Sequence, residues 1–149
     1  MSQRKTTTII ESLTREEIRT FDRKIRMDQA KQGGKKTHLL RLWEFLKTPK
    51  NRNPLDKLKV YENTFQNTQY NDQRLRNQFK ALNQKLKDFI AFKAWEGDKN
   101  AKSLYLLRAY GNRLLGSLFF EQLNAMKNVA PTGTNDFYFQ NLVVNEELY

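Results

Sequence analysis

The chain has 149 residues, one domain's length, and a net charge of +11 from 27 Lys+Arg against 16 Asp+Glu. It has no cysteine, which excludes disulfides, thiolate metal sites and cysteine nucleophiles. No run approaches the roughly 20 apolar residues of a membrane helix, and Met1 to Arg15 lacks the apolar core of a signal peptide, so a soluble, cytoplasmic protein is expected.

Residues 1–12 are expected to be loosely ordered, with Ile9 and Ile10 tucked against something apolar. The first clear helix start is Leu13-Thr14-Arg15-Glu16-Glu17-Ile18: Thr14 can cap, Glu17 can reach back, and Leu13 can staple onto Ile18. That helix is expected from about Thr14 to Met27, burying Ile18, Phe21 and Ile25. Asp28 to Lys36, with Gly33-Gly34, reads as a flexible basic loop. A second helix, about Thr37 to Lys47, would bury Leu39, Leu42, Trp43 and Leu46. Thr48 to Asn53 is a polar turn. A third helix, with Pro54 at its first position, would use Leu55, Leu58, Tyr61 and Phe65.

Tyr70-Asn71 opens the longest element, about Asp72 to Trp95, with Tyr70 placed to staple onto Leu75. Its apolar residues Leu75, Phe79, Leu82, Leu86 and Phe89 alternate spacings of four and three, a heptad seam suited to neighbouring helices of the same domain. Gly97-Asp98 starts a fifth helix bearing Leu104, Leu107 and Tyr110, and Gly111-Asn112 breaks it before a sixth with Leu115, Leu118, Phe119 and Met126. The fold class is therefore all-α, six to seven antiparallel helices stacked as a bundle or short α-solenoid in a single domain over residues 1–149. One core is expected from Leu42, Trp43, Leu58, Phe79, Leu82, Leu86, Phe89, Leu107 and Leu118.

After a loop at Pro131-Thr132-Gly133-Thr134, the last segment, 135–149, is apolar on nearly every side as a helix, and by propensity it also suits a strand. Phe137, Phe139, Val143, Val144, Leu148 and Tyr149 form a candidate interface, for a protein partner, a second copy, or chain beyond Tyr149.

Catalytic groups are scarce. His38 is the single histidine, with no spaced carboxylates beside it, and reads as an ordinary residue at a helix start. Gly33-Gly34-Lys35-Lys36-Thr37 lacks the glycine spacing and feeding strand of a phosphate-binding loop. Glu16-Glu17 suits the positive end of a helix and Glu146-Glu147 a solvated surface. No enzyme activity, catalytic residue, metal, cofactor or small-molecule ligand is implied.

The charge is uneven: residues 1–60 carry a net +9 and residues 61–149 a net +2. On a helical wheel Arg15, Arg19, Arg23 and Arg26 span an arc of about 80°, and Arg76, Lys80 and Lys87 one of about 40°. Two such rows could track phosphates, extended by Lys35, Lys36, Lys47, Lys50 and Arg52. The plainer alternative is a solvated surface in which Asp22 pairs with Arg26 and Arg19. A helical protein–protein interaction or scaffold module is the first functional reading; a basic domain binding nucleic acid non-specifically is the alternative.

The succession SLTREEIRTFDRKI, LLRLWEFLKTPK, YNDQRLRNQFKALNQKLKDFI, LLRAYGNRLLGSLFFEQL and NDFYFQNLVVNEELY resembles the opening of a family of uncharacterised, all-helical bacterial proteins. The resemblance spans most of residues 12–149 and implies tandem helices continuing over a much longer chain. It implies no activity. The basic Gly33-Gly34-Lys35-Lys36 stands where that family has a proline-rich, weakly charged connection.

Overall fold

Helix starts fall where a side-chain oxygen can accept the first free N–H groups. At Thr14 the capping box is complete: the Thr14 hydroxyl accepts from Glu17 N at 3.1 Å, and Glu17 Oε1 accepts from Thr14 N at 3.0 Å. Thr37 accepts from Leu40 N, Asp56 from Leu58 N, Asn71 from Arg74 N, and Asp98 from Asn100 N and Ala101 N. The computed structural model describes residues 2–66 and 68–127. Over these the protein is all-α, with seven helices: α1 (Ser2–Ser12), α2 (Arg15–Ala30), α3 (His38–Leu46), α4 (Lys57–Phe65), α5 (Asp72–Glu96), α6 (Lys99–Asn112) and α7 (Gly116–Lys127). A single 3₁₀ turn, Pro49–Asn51, stands between α3 and α4. The described residues fall into two compact units, one ending at Ile90 and the other beginning at Ala91.

In the first unit the heptad seam is the centre of the core. Leu75, Phe79, Leu82, Leu86 and Phe89 are all buried, with Phe21 and Ile25 of α2, Leu42, Trp43 and Leu46 of α3, and Val60, Tyr61 and Phe65 of α4. Phe21 makes edge contacts with Trp43 at 4.7 Å and Phe89 at 5.4 Å, so one ring joins three helices.

Several expectations need correction. Residues 2–12 form a helix rather than a loose tail. Threonine-rich sequence has low helix propensity, but Thr6 and Ile10, four residues apart, are both buried, and Thr7 and Thr8 return their hydroxyls to Arg4 O. Tertiary burial outweighs propensity here. In α3, Leu40 is fully buried and Leu39 only partly. The Asp56 cap starts α4 three residues beyond Pro54, and its buried face is Val60, Tyr61, Thr64 and Phe65. Leu58 falls off that face and is 59% exposed. Tyr70 donates its hydroxyl to Asp72, and its ring meets Tyr61.

The second unit has its own small core. Leu107 and Leu123 are buried there with Phe119 and Met126 packed on them, so Leu107 is not part of the first core. α6 packs on α7, and Gln122 Nε2 donates to Ser103 O at 3.4 Å across the pair. Leu115 and Leu118, expected to be buried, are 40% and 41% exposed. Leu123 takes the buried position, because the side of α7 facing α6 is centred on Phe119, Leu123 and Met126 at helical spacing.

Candidate functional site

The basic residues are placed by α2 and α5, and ion pairs divide them into two groups. Arg26 is held by Asp22 at 2.9 Å and Glu44 at 3.0 Å, Lys36 by Glu44 at 3.2 Å, and Arg76 by Asp72 at 2.7 Å. Arg15, Arg19, Arg23, Lys35, Lys80 and Lys87 are exposed and make no ion pair among the described residues. Arg52, expected to extend the positive field, is a structural residue: it is 8% exposed, and its Nη1 donates to Leu46 O at 2.7 Å and Lys47 O at 3.2 Å, closing the C-terminus of α3.

The two rows do not share a face. Phe21 and Asp28 of α2 meet Phe89 and Lys85 of α5, the ion pair at 3.5 Å. At about 100° per residue, Arg19 and Arg23 stand roughly 160° around α2 from Phe21, and Lys87 stands roughly 160° around α5 from Lys85. Each row therefore points away from the α2–α5 contact, in opposite directions. A single duplex backbone cannot follow both.

The most connected polar group on α2 is Asp22. Its carboxylate accepts from Arg26 Nε at 2.9 Å, Trp43 Nε1 at 2.9 Å and Lys47 Nζ at 3.1 Å, which ties α2 to α3. Burial acts to raise its pKa, but the hydrogen bonds from Arg26, Trp43 and Lys47 outweigh that and hold it down at about 2. Lys47 takes the place that the sequence offers to Arg19. Beside this carboxylate, Ile18, Arg19, Arg23 and Lys47 line a hollow of about 350 Å³. His38 packs on Phe65 at 4.7 Å; burial, with Arg74 and Arg41 nearby, pushes its pKa below the ordinary value. Among the described residues no three His, Cys, Asp or Glu side chains group as metal ligands would.

Sequence reasoning missed a different surface. In the second unit Phe92, Tyr105, Leu106, Leu114, Leu115, Leu118 and Phe120 are each at least 40% exposed. On α7, Leu118 and Phe120 stand on opposite flanks of the buried seam, each roughly 100° from its centre. The signal was present in the sequence, since α6 and α7 carry more apolar residues than one seam can bury. The candidate interface residues Phe137, Phe139, Val143, Val144, Leu148 and Tyr149 lie outside the described residues, as does the loop at Pro131. No described helix is long and apolar enough to cross a membrane.

Comparison of the chain with family models, curated proteins and solved structures returns no match.

Proposed function

We propose that this chain is a non-enzymatic helical interaction module that self-associates through the apolar flanks of its second unit. The observation that carries this reading is an imbalance: among the described residues seven large apolar side chains there are at least 40% exposed, whereas Leu104, Leu107 and Leu123 are the buried ones. So small a core gains from further burial, and helical hairpins with apolar flanks add neighbours side by side. A second copy is the fitting occupant, because an isologous contact covers the same flank on both chains at once. The divergence of the two basic rows supports ranking this above a phosphate-tracking surface.

Sedimentation velocity over the micromolar range tests it. A concentration-dependent dimer is expected for the full chain, and a monomer of unchanged helicity for the double variant Leu118→Lys/Phe120→Lys. A wild-type chain that stays monomeric throughout overturns the reading. So does tight duplex binding at physiological salt that disappears with Arg19→Gln/Arg23→Gln, which makes nucleic-acid binding the primary function.

A further inference from the structure

A hollow of about 480 Å³ opens in the first unit between α1 and α5, lined by Arg4, Lys5, Thr8, Ile9, Asn83 and Lys87. We propose that it binds a linear amphiphile with one anionic head, a long-chain alkyl carboxylate. The inference is independent of the second unit's apolar flanks.

Three features of the lining select that class. Arg4, Lys5 and Lys87 are exposed cations that make no ion pair among the described residues, and no lining residue is acidic. The wall beneath them is apolar: Ile9 packs against the core, and Thr8 donates its hydroxyl to Arg4 O at 2.8 Å, which leaves its methyl as the free surface. The aliphatic stems of Lys and Arg cover apolar surface while their charged ends stay in water. Asn83 completes the lining, with its Oδ1 buried and without a hydrogen-bond partner among the described residues.

A hydrated polyanion such as a nucleic-acid backbone gains nothing from the apolar wall, and a neutral hydrocarbon gains nothing from the cations. An alkyl carboxylate uses both, and the volume lies within the roughly 300–1,000 Å³ of ordinary small-molecule sites. The site depends on α1 being a helix, since one turn places Arg4, Lys5, Thr8 and Ile9 on adjoining positions.

Isothermal titration of the full chain with dodecanoate, kept below its micelle concentration, tests the assignment. Saturable binding is expected, with acetate and dodecyltrimethylammonium failing to bind. The double variant Arg4→Gln/Lys87→Gln, at exposed positions and checked for unchanged thermal unfolding, should weaken dodecanoate by about 10-fold, as loss of two exposed charge contacts predicts. Equal affinity for the cationic detergent overturns the proposal, as does an unaltered affinity in the variant, which would move the amphiphile to another apolar surface. Cosedimentation with phosphatidylglycerol vesicles that is lost in the variant, without binding of free dodecanoate, also overturns it and assigns the cations to a membrane surface.

Discussion

Replacing Asp22 with asparagine keeps the side chain's size but removes the charge on which Arg26, Trp43 and Lys47 converge. The carboxylate is 22% exposed, and its pKa falls from 3.8 to about 2 on folding. At about 1.4 kcal/mol per unit this corresponds to roughly 2.5 kcal/mol, and exposure of the Arg26 and Lys47 partners screens it to about 1–2 kcal/mol. Urea unfolding of the D22N variant at pH 7 should show that loss at unchanged denaturant dependence, because the same surface is exposed on unfolding. Since the folded carboxyl titrates below the unfolded one, its contribution is complete above about pH 4 and vanishes as pH falls through about 2. The difference between wild type and variant should therefore shrink from pH 5 toward pH 2.5. A cost below about 0.5 kcal/mol at pH 7, or one independent of pH, refutes the view that this carboxylate holds α2 to α3.

Truncating Phe79 or Leu86 to alanine should cost about 2–5 kcal/mol in urea unfolding, whereas Leu58→Gln, on an exposed position of α4, should stay within about 0.5 kcal/mol. Thr14→Ala removes the acceptor of the capping box and should destabilise by about 1 kcal/mol, with Glu17→Ala costing less; equal effects would point to a role for Glu17 beyond the cap. Arg52→Met leaves the Leu46 carbonyl without its donor and should cost about 1–3 kcal/mol, so a neutral result would mean that water replaces the guanidinium.

What the sequence determined by itself is the local part of the fold. Caps at Thr14, Thr37 and Asp98 act over two or three residues, and the seam from Leu75 to Phe89 is a periodicity within one helix, so both can be read without knowing any neighbour. What only the tertiary structure decided involves partners far apart in the chain. The Thr-rich start becomes α1 because Thr6 and Ile10 are buried, not because of propensity. Asp22 finds Trp43 and Lys47 rather than Arg19, and Arg52 turns inward to the last carbonyls of α3. The basic rows share an arc on each wheel, yet which way each arc points depends on where α2 and α5 touch. A helical wheel gives the angles between residues of one helix, and only packing against a second helix gives those angles a direction in space.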